Sequence, residues 1–147
     1  MTDYLNSLNP AQREAVLHTR GPLLIIAGAG AGKTKTLTHR IFHLIKEGTD
    51  PSSILAITFT NKAAREMRER VSGMLESDSE LNRPVSPKLY GETGPFLGTF
   101  HSLGVKILRE NFKEAGIPAS FAIFDRSDSI RSIKKAMERK GIDPKSF

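Results

Sequence analysis

Leu23-Leu24-Ile25-Ile26-Ala27-Gly28-Ala29-Gly30-Ala31-Gly32-Lys33-Thr34 is the stretch from which the rest of the chain can be read. Four apolar residues run into a tract of Gly and Ala, which ends in Gly-Lys-Thr and is followed by a basic, apolar-periodic segment. The run predicts a buried strand over 23–27, a tight loop and a helix start. A loop of that kind turns successive backbone N–H groups inward and forms a concave anion site. Only small residues leave room for a phosphate there. Lys33 is placed to reach the outer phosphates, and the Thr34 hydroxyl to ligate Mg²⁺. The usual pattern is Gly, four residues, then Gly-Lys-Ser/Thr; Ala27 stands at the first position and misses it by one methyl group. The plainer alternative is a small-residue turn with a surface lysine.

Working outward, Asn9-Pro10-Ala11-Gln12 reads as a helix start, with Asn at the cap, Pro first and Gln third. This helix should run to about Leu17 and break at Arg20-Gly21-Pro22. The helix after the loop should run from about Gly32 to Glu47, with Leu37, Ile41, Leu44 and Ile45 as its apolar stripe and Gly48 just past its end. A second strand, nearly all apolar, is expected over Ile54–Phe59. Thr60 or Asn61 caps a helix over 62–75, buried through Ala64, Met67, Val71 and Met74 or Leu75, with Lys62, Arg65, Glu66, Arg68, Glu69 and Arg70 on a solvated face. Residues 76–94 read as a long surface loop. A third short strand is expected at Phe96–Thr99, helices over about 101–114 and 127–140, and a helix start at Asp143-Pro144. A chain ending on such a signal is expected to be a piece of a longer protein. Strand–helix–strand–helix–strand with apolar strands predicts an α/β parallel sheet with right-handed crossovers, binding phosphate at the C-terminal end of its first strand.

The 147 residues are the size of one ordinary domain, with 22 basic and 16 acidic side chains and a net charge of +6. That excess fits an anionic partner without requiring one. It leans to the C-terminal third, where residues 101–147 carry ten basic and six acidic side chains. No cysteine is present, which excludes disulfides, thiolate metal sites and a cysteine nucleophile. With no signal peptide and no apolar run of about 20 residues, no membrane partner is expected and a cytoplasmic location fits. His39 and His43 share a helix face without further ligands and read as surface histidines; Arg40 reads as a surface charge.

Four segments in order resemble motifs of the superfamily 1 DNA helicases of the UvrD/Rep/PcrA type. They are Leu8–Gln12, Ala27–Thr34, Ile57–Met67 (Ile-Thr-Phe-Thr-Asn-Lys-Ala-Ala-Arg-Glu-Met) and Gly98–Ser102. Ala at the first loop position fits that family. The resemblance implies a P-loop NTPase fold of the RecA-like kind, incomplete here, with a helical C-terminal extension. Residues 1–116 would be the N-terminal part of an ATP-binding motor domain, and 117–147 the start of an inserted helical subdomain. It implies ATP and Mg²⁺ as cofactors, held by Gln12 on the adenine edge, by Ala27, Gly28, Ala29, Gly30, Ala31, Gly32, Lys33 and Thr34, and by Lys35 near the base or ribose. It implies single-stranded DNA and single-strand/duplex junctions as partners. DNA would contact Thr58, Phe59, Thr60 and Asn61, and Thr99, Phe100, His101 and Ser102. The parent would be a 3′→5′ helicase whose remaining domains lie in the same chain.

Each of these has a plainer local reading: Gln12 as a capping residue unable to serve fully in both roles, Phe59 as a core residue, Lys35 as a surface lysine. A general-base role for His101 finds no partner in the sequence. The family's second Mg²⁺-holding acid pair has no counterpart. Asp125, in Ile-Phe-Asp-Arg, reads instead as a helix-start residue. The isolated piece is therefore expected to bind triphosphate without efficient hydrolysis. The alternatives are a P-loop phosphotransferase and a self-sufficient nucleotide- or DNA-binding module.

Overall fold

In the computed structural model, residues 3–79 and 94–143 are described. They fall into two compact units, 1–107 and 108–147. The first unit holds helices α1 (Pro10–Leu17), α2 (Lys33–Lys46) and α3 (Asn61–Ser77), strands β1 (Leu55–Thr58) and β2 (Phe96–Thr99), and most of α4 (Phe100–Glu110). Helix α5 (Arg126–Arg139) lies in the second. The expected loop over 76–94 and the helix start at Asp143-Pro144 fall largely outside the described residues.

Local signals set most boundaries. Asn9 accepts from the Gln12 N–H at 2.9 Å while Gln12 Oε1 accepts from the Asn9 N–H at 3.1 Å, a complete capping box. At the other end of α2, Gly48 takes a left-handed φ of 91°. Its N–H donates to Ile45, and that of Thr49 to Leu44, so the last carbonyls are satisfied. Thr60 caps α3 through Ala63 N–H at 3.1 Å. Asp125 caps α5, accepting from Asp128 N–H at 2.8 Å and from the Ser127 hydroxyl at 2.7 Å. These bonds, first that from Asp128, hold its carboxyl below the usual carboxylate range.

β1 and β2 pair in parallel, with Leu55 opposite Phe96 and Thr58 opposite Thr99. Helix α3 forms the crossover and packs against both strands and α2. The core joins Ile41, Phe42 and Ile45 of α2, Met67, Val71 and Leu75 of α3, Ala56 and Leu97. The buried stripe of α2 is thus rotated from the expected one: Thr36, Thr38 and Phe42 are inside, while Leu37 is exposed. The threonines can be buried because their hydroxyls donate back to the Gly32 and Lys35 carbonyls.

The expected strand over 23–27 does not form. Its residues still alternate, Leu23 and Ile25 being 40% and 41% exposed against 83% and 89% for Leu24 and Ile26. That is the period of a strand. A strand also needs a ladder partner, and among the described residues β1 and β2 pair only with each other.

Candidate nucleotide and nucleic-acid sites

The Gly/Ala loop meets α2 at Gly32, whose φ of 82° is left-handed, as is the 77° of Gly30. A side chain at Gly32 would be excluded twice. The backbone disfavours it, and an added Cβ would lie 2.7 Å from Gln12 Nε2. Gly32 caps the 14-residue α2 without a side-chain acceptor, so the first N–H groups of that helix are left for a ligand. Lys33 Nζ donates to the Ala27 and Gly28 carbonyls at 2.9 and 2.7 Å, folding its ammonium over the loop. Thr34, half-buried, follows it in the chain. The uncapped N–H groups at the start of α2, with one ammonium and one hydroxyl beside them, suit a Mg²⁺-bound polyphosphate.

Gln12 joins the loop to α1. Its Oε1 serves the cap, and its Nε2 donates to the Ala31 carbonyl at 3.0 Å. An amide has two hydrogens and two acceptor lone pairs. One of each is used, so one of each is left, and capping does not exclude reading a base. Lys35 is not a free surface lysine: its ammonium donates to the Ser7 carbonyl.

At the C-terminal ends of the two strands, equivalent residues come together. Phe59 follows Thr58 and Phe100 follows Thr99, and the register sets them side by side with ring centroids 5.6 Å apart. Phe59 is 89% exposed, so it is no core residue. Beside them Asn61, Arg65, Arg68, Gly98, Thr99 and Ser102 line a cavity of about 240 Å³. Thr99 and Ser102 cap α4 reciprocally: Ser102 N–H donates to Thr99 Oγ1 at 3.2 Å and Thr99 N–H to Ser102 Oγ at 2.7 Å. The Thr58 hydroxyl donates to the Thr60 carbonyl at 3.1 Å. His101 is exposed.

Three residues were misread from sequence. Arg68, placed on a solvated face, donates to the Leu97 carbonyl of β2 at 2.8 Å and lines the cavity. Arg40, read as a surface charge, donates to the Ala15 carbonyl at 2.7 Å and to that of His18, closing the C-terminus of α1. His43 is buried, with Nδ1 2.7 Å from the Tyr4 hydroxyl, whose pKa is raised chiefly by burial. The presence of an arginine or histidine on a helix face gave no signal for these distant partners. Among the described residues no cluster of three or more His, Asp or Glu could hold a metal, and no helix is long and apolar enough to cross a membrane.

The profile of the UvrD/REP helicase N-terminal domain matches residues 8–147. The chain is 46% identical over 144 residues to the ATP-dependent DNA helicase PcrA of Bacillus subtilis, covering 97% of this chain and 18% of the relative. It is 45% identical over 148 residues to PcrA of Staphylococcus aureus, covering all of this chain and again 18% of the relative. A probable DNA helicase II homolog of Rickettsia felis is 41% identical, with 99% of this chain and 20% of that one covered. The chain therefore spans about a fifth of the length of these relatives. With the profile match running through the glycine loop and both strand-end motifs, the chain belongs to the UvrD/REP helicase family, in its N-terminal domain.

Proposed function

We propose that this chain is the N-terminal, ATP-binding part of an ATP-dependent DNA helicase and single-strand translocase moving 3′→5′. Residues 1–116 belong to its first motor domain, and 117–147 begin an inserted helical subdomain. The observation that carries the reading is the pairing, within one 107-residue unit, of an anion-binding loop at the start of α2 with two adjacent exposed aromatics at the ends of β1 and β2. The names of the relatives, ATP-dependent DNA helicases, supply the substrate class. The phosphotransferase alternative has no such support.

In this reading the loop N–H groups between Gly28 and Thr34, apart from that of Ala31, which donates to the Gly28 carbonyl at 3.3 Å, and the Lys33 ammonium hold the phosphates. The Thr34 hydroxyl faces Mg²⁺, and Gln12 uses its spare N–H and lone pair on the adenine edge. Lys35, tied to Ser7, buttresses the loop rather than touching the ribose. Phe59 and Phe100 stack on bases of single-stranded DNA, a contact open to any base. Thr58, Thr60, Asn61, Thr99, His101 and Ser102 frame the path of its backbone. The Thr99 and Ser102 hydroxyls are committed to the α4 cap, so their part is to aim the helix N-terminus at the strand. ATP supplies the free energy of each step. The chain's own groups grip phosphate and DNA within one compact α/β unit.

The test is nucleotide turnover with and without single-stranded DNA. The full-length protein is expected to show DNA-stimulated ATPase that Lys33→Ala abolishes. The 147-residue chain alone is expected to bind nucleotide without such turnover. Stimulated hydrolysis by the isolated chain would refute the division of labour.

A further inference from the structure

Helix α1 carries Gln12 but has little of its own to hold that residue still. It is eight residues long, and only Ala15 and Val16 are buried. A helix this short is marginal by itself. Two apolar contacts seat it against its neighbour without fixing its angle, because hydrophobic burial is non-directional. Gln12 nevertheless occupies a tight place. A Cβ at Gly32 would lie 2.7 Å from its Nε2, which donates to the Ala31 carbonyl at 3.0 Å. A side-chain hydrogen bond is lost within about 0.5 Å of displacement, so α1 needs directional ties as well as contact.

Such ties occur on both sides of Gln12, and α2 supplies them. Downstream, the Arg40 guanidinium donates to the Ala15 carbonyl at 2.7 Å and to the His18 carbonyl. Those carbonyls lie at the end of α1, where the helix has no further N–H of its own to offer. Ala15 is three residues beyond Gln12, about 4.5 Å along the axis. Upstream, the Tyr4 hydroxyl pairs with His43 Nδ1 at 2.7 Å. The Tyr4 ring also stands edge-on to Phe42, with centroids 4.9 Å apart and planes at 75°. Phe42 belongs to the core and His43 is buried, so this tie has a firm base. Arg40 and His43 are three residues apart and so share one flank of α2. The same helix begins at the glycine loop. The segment that carries Gln12 is thus fastened, before and after it, to the helix whose first turn adjoins the phosphate cradle.

We propose that Arg40 and the Tyr4–His43 pair are positioning residues for base selectivity. They lock α1 to α2, so that the Gln12 amide meets the adenine edge in register with phosphates held at the start of α2. The inference rests on the proposed reading of adenine by Gln12, and names the residues that make that reading selective. The groups assigned to the phosphates lie on the loop and on α2, not on α1. Loosening α1 therefore weakens ATP and spares a nucleotide with another base.

The experiment titrates non-hydrolysable ATP and GTP analogues into the full-length protein and into two variants. Arg40→Met keeps the aliphatic stem and removes the donors, while Tyr4→Phe removes only the hydroxyl. Each should weaken the ATP analogue roughly 3- to 10-fold, as for one hydrogen bond, and shift the GTP analogue by less than about twofold. In a Gln12→Ala background neither substitution should weaken ATP further, because residues acting through one partner are not additive. Should Arg40→Met fail to fold, Tyr4→Phe decides by the same comparison. Equal losses for ATP and GTP overturn the proposal, since that is what a merely structural role produces. Unchanged ATP affinity in either folded variant overturns it, as does a full further loss on top of Gln12→Ala. If Gln12→Ala abolishes the preference for ATP while both tie variants keep it, this inference fails and the reading of Gln12 stands. If Gln12→Ala leaves the preference intact, both fail.

Discussion

Replacing Gln12 separates two roles that one amide carries. In Gln12→Ala both the capping bond to Asn9 N–H, at 3.1 Å, and the bond to the Ala31 carbonyl, at 3.0 Å, are lost. In Gln12→Glu the capping acceptor stays, since Glu is equally suited to that position, but the donor to Ala31 is gone. Both bonds are exposed and neutral, so each is worth the low end of the usual range, about 0.5 kcal/mol. Gln12→Ala should therefore cost about 1 kcal/mol, a fall in Tm of about 3 °C for a domain of this size. Gln12→Glu should cost about half as much. If the spare N–H and lone pair read adenine, losing two ligand bonds should weaken ATP by about 1–3 kcal/mol, roughly 5- to 100-fold in Kd. The phosphate contacts are untouched, so GTP affinity should change little and the preference for ATP should collapse. Titration calorimetry with non-hydrolysable ATP and GTP analogues, alongside thermal melts, reads each quantity. Unchanged ATP affinity with a lowered Tm would reduce Gln12 to a helix cap and refute the assignment.

Other substitutions probe separate parts of the frame. Gly32→Ala combines a left-handed φ with a Cβ 2.7 Å from Gln12 Nε2, so it should destabilise by about 1–3 kcal/mol in urea melts and abolish nucleotide binding. Phe59→Ala should leave the Tm unchanged, because the ring is exposed, while lowering single-strand affinity by about 1–3 kcal/mol in fluorescence anisotropy. Arg68→Ala removes the 2.8 Å bond to the Leu97 carbonyl and should cost about 1–2 kcal/mol by urea denaturation. Burial holds the His39 pKa below its ordinary 6.5, more than the Lys35 carbonyl raises it. The folded state thus binds fewer protons than the unfolded one. Stability should be full above pH 6.5 and fall as the pH drops below it, and His39→Gln should flatten that fall in pH-dependent melts.

Much of the fold was legible because its signals are short-range. The Asn9–Gln12 box, the Thr60 and Asp125 caps and the left-handed Gly48 each act within four residues, so sequence spacing locates them. The strand over 23–27 was misjudged for the opposite reason. Its apolar run was read as a buried strand, but Leu24 and Ile26 are exposed, and pairing depends on a neighbour that an apolar run does not name. In the candidate site, the glycines of the loop were legible through residue type, because Gly30 and Gly32 take the left-handed backbone that glycine tolerates. The state of Phe59 was not, since an apolar residue at a strand end serves a core or a ligand equally well. Its exposure and contact with Phe100 followed from the parallel register.

By itself, the sequence determined where most helices start, that a loop of small residues precedes α2, and which family the chain resembles. Those are properties of near neighbours and residue types. Only the tertiary structure decided what the long side chains do. Arg40 reaches a carbonyl 25 residues away, Arg68 one 29 away, and Tyr4 finds His43 across 39. An arginine or tyrosine has the length and the unmet donors to act across elements. Its partner is set by how those elements pack, which no local pattern specifies.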